Sequence, residues 1–365
     1  MKIRCEKIHI FDAVNTVMKA VPNKSNLPVL EGILLKAKGS VLKMIGNDTS
    51  LSIETVIPIV CEEEGEAVIN AKILFEMIRK LPNGTVELSI DEKLNAVLSG
   101  QNSVYKMLAL SSEDFPAVTL VAKEQFISLP SDTLKMMIRS TLFAVSTDAT
   151  RMILNGSLFE VENGELHVVS LDGFRLAVRN EKVEEGKEFK FIVPSKALSE
   201  LTKVLPDNQE KVEISVSKKY ALFNFGNTKL VTRLIEGEFF NYRKSIPAEG
   251  KIFITLPTAI MRESIERVDP IINAIDHKNP IRFHIDNNKI DIDCQTTTGI
   301  VHDSIDIDPC GEELSISFNH RFFQDAIRAC ESEEIILEFN SQNSPCLIHP
   351  AEGNDFWYLI LPVRS

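Results

Sequence analysis

One local pattern occurs six times along this chain, and that repetition limits the possible folds more than any single motif does. KIRCEKIHIFDAVNTVMKAV from Lys2, FISLPSDTLKMMIRSTLFAV from Phe126 and FITLPTAIMRESIERV from Phe253 each read as a short apolar strand running straight into an amphipathic helix. A second trio follows the same rule: EAVINAKILFEMIRKLPNG from Glu66, FKFIVPSKALSELTKVLPDN from Phe189 and LSISFNHRFFQDAIRACES from Leu314. Units of this size bury their apolar faces by stacking on one another, so the assembled array matters more than any one copy. After each helix come short runs rich in β-branched residues, such as GILLKAKG, VLKMIGND and LSIETVIPI, separated by Asn, Gly, Ser and Lys turns. Each third therefore reads as helix, strands, helix, strands. The expected fold class is α+β: three tandem duplicated domains, each with two helices packed on antiparallel sheets. The pattern resets near Ala122 and Pro247, after SSEDFPAVTL and EGEFFNYRKSIP, which sets the expected domains at residues 1–122, 123–247 and 248–365.

Helix ends are signalled locally. Pro130, Ser131 and Asp132, and again Pro257 and Thr258, are expected to open helices; Asn70, Ser195 and Asn319 are expected to cap the second helix of each third. Leu-Pro at Leu81 and Leu205 is expected to end two of them. In AKILFEMIRKL the apolar set Ile73, Leu74, Met77, Ile78 and Leu81 is expected to face inward, leaving Lys72, Arg79 and Lys80 on the solvent side. Comparable cations recur on and after the other helices: Lys19 and Lys24, Lys135 and Arg139, Lys196 and Lys203, Arg262 and Arg267, Arg321 and Arg328. Any one such face is an ordinary mixed-charge surface. Six in repeated positions suggest a positive helical lining able to hold a polyanion.

That reading must overcome a formal net charge of -12, since phosphate binding needs Lys and Arg to replace condensed counterions. The acids, however, concentrate elsewhere, at Glu62–Glu66, Glu181–Glu188 and Glu331–Glu334, which are expected to be solvated turns and strand edges. The 365 residues, 44% of them hydrophobic, suffice for sizeable cores. No apolar run approaches the roughly 20 residues of a membrane span, and MKIRCEKIHIF lacks a signal-peptide apolar region, so a cytoplasmic location is expected. Six scattered cysteines lack any CxxC pair and are expected to be reduced thiols. Walker A, HExxH, GxSxG and GxGxxG signatures are all missing, and the seven histidines show no ligand-like pairing on a helical face. Asp286, Asp291 and Asp293 could in principle hold a cation, but exposed acids are common on strands and turns. No metal, cofactor or catalytic residue is assigned.

With SLDGFRLA at Ser170, LIEGEFFNYRKSIP at Leu234 and the terminal YLILPVRS at Tyr358, set in order on the threefold frame, the whole chain resembles the bacterial DNA polymerase III beta subunit, the sliding clamp family. The resemblance implies a head-to-tail homodimer closing as a ring around duplex DNA without sequence specificity. It implies a non-catalytic processivity factor whose partners are the clamp loader and the replicative and repair polymerases, engaged through short linear motifs. It places Lys24 and Arg151 among the DNA-facing residues and the dimer contact around Tyr105 and Met107 on one side and Ile271 and Ile272 on the other. It also implies a peptide pocket formed by Leu171, Gly173, Phe174, Arg175 and Leu176, by Phe240, Lys244 and Ser245, and by Pro345, Leu359, Ile360, Leu361, Pro362, Val363 and Arg364. Phe174 stands where the family commonly has His, Phe240 where it has Pro, Lys244 where it has Arg and Ser245 where it has an apolar residue, so a reshaped pocket is expected. The competing reading is a repeat-built peptide-binding scaffold that never encircles DNA.

Overall fold

The computed structural model describes residues 1–122, 124–183, 188–247, 250–272 and 280–363. The first third runs β1 (Lys2–Glu6), α1 (Lys7–Val17), β2 (Gly32–Lys38), β3 (Val41–Asn47), β4 (Leu51–Pro58), β5 (Val60–Glu63), β6 (Gly65–Asn70), α2 (Ala71–Lys80), β7 (Thr85–Ile90), β8 (Asn95–Gly100) and β9 (Ser103–Leu108). The second runs β10 (Gln125–Pro130), α3 (Ser131–Leu142), β11 (Gly156–Glu162), β12 (Glu165–Leu171), β13 (Arg175–Lys182), β14 (Phe189–Pro194), α4 (Ser195–Val204), β15 (Lys211–Val216), β16 (Tyr220–Phe225) and β17 (Thr228–Arg233). The third runs β18 (Ile252–Pro257), α5 (Thr258–Ile272), β19 (Pro280–Asp286), β20 (Lys289–Gln295), β21 (Ile300–Asp306), β22 (Leu314–Asn319), α6 (His320–Ala329), β23 (Glu334–Phe339), β24 (Cys346–Pro350) and β25 (Phe356–Ile360). Three tandem copies of one α+β plan are thus laid out along the chain.

Strand pairing is antiparallel throughout these sheets, and it crosses the sequence repeats. Residues Met1–Leu134 with Lys196–Leu234 form one compact unit, and Lys135–Ser195 with Ile235–Ser365 another. The first unit holds a five-stranded sheet, β5-β1-β7-β8-β9, and an eight-stranded sheet, β10-β15-β16-β17-β4-β3-β2-β6. The second holds an eight-stranded sheet, β14-β11-β12-β13-β25-β24-β23-β18, and a four-stranded one, β21-β20-β19-β22. Each eight-stranded sheet is welded from two half-sheets: β17 pairs β4 from Thr228↔Thr55 to Thr232↔Leu51, and β13 pairs β25 from Arg175↔Ile360 to Arg179↔Phe356. Alternating burial along β7 and β8 shows one face of each strand turned to the core, the period of a half-buried strand. In the second unit the core gathers the inner stripe of α5 (Met261, Ile265, Val268) and the rings of Phe283, Phe318 and Phe323, whose centroids lie 4.8 to 5.6 Å apart.

Asn70 and Asn319 cap their helices as expected, their Oδ1 atoms accepting from the amides of Ile73 (3.1 Å) and Phe322 (3.3 Å). Ser195 is the first residue of α4, and its amide donates to the Asn155 carbonyl at 3.0 Å. Pro130 and Pro257, expected to open helices, instead close strands β10 and β18, opposite Lys211 and Glu334. A strand end tolerates a residue without an amide donor. The hydroxyls that follow are tied outward: Ser131 Oγ donates to the Pro206 carbonyl (2.8 Å) and Thr258 Oγ1 to the Ser332 carbonyl (2.7 Å). On α2 the buried stripe is Ala71, Leu74 and Ile78, so Ile73, expected to face inward, is instead 47% exposed. Glu62 and Glu63 lie on β5, an outer strand of its sheet and so a strand edge and not a turn, with Glu62 bridging Lys2 and Arg4, each at 2.7 Å. Glu184 and Glu185 lie outside the described residues. All six cysteines are free thiols, and burial pushes those of Cys5 and Cys330 up to about 12.

Candidate functional site

In the second unit a tight turn joins β12 to β13. Gly173 sits at φ +96°, a backbone region that L side chains rarely adopt, and the Asp172 carboxylate accepts from the amides of Phe174 (2.9 Å) and Arg175 (3.1 Å). This turn projects the Phe174 ring, 57% exposed, while drawing Arg175 inward. The Arg175 guanidinium donates to Asp172 (3.0 Å), Asp325 (2.7 Å) and the Phe143 carbonyl (2.6 Å), and lies 4.4 Å from the Phe322 ring centroid. It is therefore a fixed internal strut and not a rim cation. Leu361 donates its amide to the Phe174 carbonyl at 2.9 Å, which pins the segment after β25 against the same turn.

Around this turn lies a cavity of about 520 Å³, lined by Leu171, Gly173, Phe174, Arg175, Leu176, Phe240, Ser245, Pro345, Leu359 and Leu361, with Arg151 and Leu154. Its floor is core: Leu171, Leu176 and Leu359 belong to one buried cluster with Phe239 and Tyr242. Its rim is apolar and solvent-facing, with Phe240 55% and Leu361 38% exposed. A second cavity of similar volume shares Phe174 and Leu361 and adds Asn319, Phe322, Pro362 and Val363. Large apolar side chains held open to water around a pocket mark a surface built to be covered.

Of the residues expected at the peptide pocket, Ile360 is fully buried on the opposite side of β25, because alternate residues of a strand face opposite ways. Lys244 is exposed and lies outside the lining of both cavities; Arg364 lies outside the described residues. Sequence reasoning missed Leu154, Asn319 and Phe322. Asn319 and Phe322 belong to the strand-to-helix unit at Leu314, whose regularity gave no hint of a second use. Arg151, expected to face DNA, lines the first cavity, with Nη1 3.3 Å from the Asp172 carbonyl and Nε 3.5 Å from Asp148.

The helix cations divide into distinct groups. Lys135 is buried, because α3 exposes only Arg139 to solvent, and so does not present its charge as expected. Arg262 is half-buried and donates to the Cys330 carbonyl at 3.1 Å. Arg79, Lys196, Lys203, Arg267 and Arg328 are exposed but paired, with Glu76, Asp48, Glu200, Asp303 and Glu266 respectively. The two Asp303 contacts of Arg267, at 2.9 and 2.8 Å, hold the carboxyl below its usual range. Lys24, Lys72, Lys80, Arg139 and Arg321 are exposed, and Lys19 is half-buried; none of the six has an ionic partner among the described residues. Of the dimer candidates, Tyr105 and Met107 are half-buried on β9, the outermost strand of its sheet, beside Val104 and Leu108 at 60% and 75% exposure. Ile271 is half-buried, but Ile272 is buried in the core, the next position on the inward stripe of α5 after Val268. Asp291 is engaged by Lys289 (2.8 Å) and Ser304 (2.7 Å), and Asp293 by His302 (2.8 Å). Among the described residues no group of His, Cys, Asp and Glu could hold a metal ion, and no helix is long and apolar enough to cross a membrane.

Family models of the DNA polymerase III beta subunit match in series: the N-terminal domain over residues 1–120, the central domain over 128–241 and the C-terminal domain over 243–364. The beta sliding clamp of Bacillus subtilis is 31% identical, with both chains covered in full. This chain belongs to the DNA polymerase III beta subunit family. The crystal structure of the Bacillus subtilis DNA polymerase sliding clamp superposes with a TM-score of 0.96 at 31% identity, covering 100% of this chain and 99% of that one. A putative DNA polymerase III beta subunit from Eubacterium rectale gives a TM-score of 0.95 at 34% identity, with both chains fully covered. The beta subunit fold is thus matched over the full length of the chain.

Proposed function

We propose that the chain is a non-catalytic DNA sliding clamp of the cytoplasm: two copies close head-to-tail into a ring around duplex DNA, and the apolar cavity tethers polymerases and the clamp loader through short linear motifs. The three domains are taken as residues 1–122, 123–247 and 248–365. The observation that carries the reading is a sheet edge left over from the repeat. The last strand of one half-sheet pairs with the third strand of another at β17–β4 and at β13–β25. Applied a third time, the rule matches β9 with β21, each an outer strand of its sheet, and no described strand covers either edge. A second copy supplies the missing partner to both. Carrying the register of the two existing junctions across sets Tyr105 opposite Val301, Lys106 opposite Ile300 and Met107 opposite Gly299 of the other copy. Exposed Val104, Leu108 and Ile300 would be covered there, which removes an aggregation hazard.

Once closed, the ring needs only weak, exchangeable phosphate contacts, because topology holds it on the duplex. The exposed cations without ionic partners among the described residues, Lys24, Lys72, Lys80, Arg139 and Arg321, suit that role best. The cavity suits apolar anchors of an extended peptide, since such anchors dominate binding in pockets with a polar surround. Deleting residues 361–365 tests the docking half: a polymerase-tail peptide should lose binding while the dimer persists. Undiminished affinity would refute the assignment.

A further inference from the structure

Beyond the two apolar cavities lies a third depression, of about 500 Å³, that is polar. It is lined by Arg282, Ser315, Ile316, Ser317, Gln342 and Asn343, and it meets the second cavity at Val363. Arg282 is exposed and has no ionic partner among the described residues. The acid across the strand pair, Asp293, is engaged by His302 at 2.8 Å. The other described side chains that line the groove are neutral hydrogen-bonding groups or apolar, so among the described residues the guanidinium is its one charge.

The floor of this groove is the open edge of β22. The Val363 amide donates to the Ser317 carbonyl at 2.8 Å, so that carbonyl points away from β19, which pairs the other side of β22. Along an antiparallel strand, orientation repeats every second residue, so the amide and carbonyl of Ser315 also face the open side. Residues 361–363 thus lead from the Phe174 turn onto an edge that can accept more extended chain. Ser317 lies opposite Arg282 across the β22–β19 pair, on the same face.

We propose that this groove is a third contact for the peptides that use the apolar cavities. The flank of the peptide adds to the β22 edge as an extended strand, and an Asp or Glu within it meets Arg282. Charge complementarity identifies the occupant: a guanidinium with no ionic partner among the described residues, beside neutral donors and acceptors, selects a carboxylate, and backbone pairing requires an extended segment. The inference rests on the peptide-docking role proposed above.

The test uses the full-length protein and fluorescent peptides carrying the same apolar anchors, followed by anisotropy. One set has no flank; the others carry three residues containing Asp, or the matching Asn, at either end. For one end, the Asp peptide should bind about fivefold tighter than its Asn counterpart, the upper range for an exposed ion pair. Arg282→Gln should remove that advantage and leave the unflanked peptide unchanged, and N-methylation of the flank should weaken binding to the unsubstituted protein. An Asp preference that is absent, or that survives Arg282→Gln, overturns the proposal while leaving docking in the apolar cavities intact. Failure of the unflanked peptide to bind overturns both readings. A preference that appears only after removal of residues 364 and 365 overturns the proposal by assigning the groove to the chain's own terminus.

Discussion

Arg175 shows how one side chain can organise a binding surface without forming its rim. Its three donor contacts and the Phe322 ring fix the Asp172 turn from which Phe174 projects. Arg175→Met should cost about 3 kcal/mol in denaturant unfolding, because Asp172 and Asp325 lose a shared, largely buried partner. Peptide affinity should fall with it, whereas Phe174→Ala should weaken peptide binding with little loss of stability, its ring being half in water. His302 offers a second check at this scale. Its hydrogen bond to Asp293 raises its pKa above the ordinary value of about 6.5, so the pair stabilises the folded state below that pH, and the contribution fades as pH rises through the raised value. NMR titration should place the His302 midpoint above that of an unpaired histidine, and Asp293→Asn should bring it back.

At the level of elements, all six strand-to-helix units could be read from the sequence, because helix caps and two-residue alternation are local signals. Asn70 and Asn319 cap as their type suggests. What could not be read was pairing between distant strands. Nothing in LVTRLI announces that β17 joins β4 and not a neighbour from its own third. Side-chain facing failed for a related reason: Lys135 and Ile73 occupy positions whose burial depends on what packs over the helix, whereas Ile272, expected at the dimer contact from the resemblance, simply continues the inward stripe of α5. Most of the cavity's lining was anticipated from DGFRLA and LILPVRS, yet Leu154, Asn319 and Phe322 carried no motif. The third edge pairing is testable directly. Lys106→Cys combined with Ile300→Cys should oxidise to a covalent dimer, while Lys106→Cys with Ser304→Cys, four residues out of register, should cross-link poorly.

For the whole molecule, the sixfold unit and membership of the DNA polymerase III beta subunit family point to enclosure as the activity. Salt should weaken any residual contact with DNA, and Lys72→Glu with Lys80→Glu should reduce the salt dependence of DNA association without changing dimer mass. A closed ring is retained on DNA by topology and not by affinity, and loading onto nicked circular DNA measures that retention. With a clamp loader and ATP, the protein should stay on the circle through gel filtration at moderate salt and be lost once the DNA is linearised. Equal retention on circular and linear forms would contradict the ring.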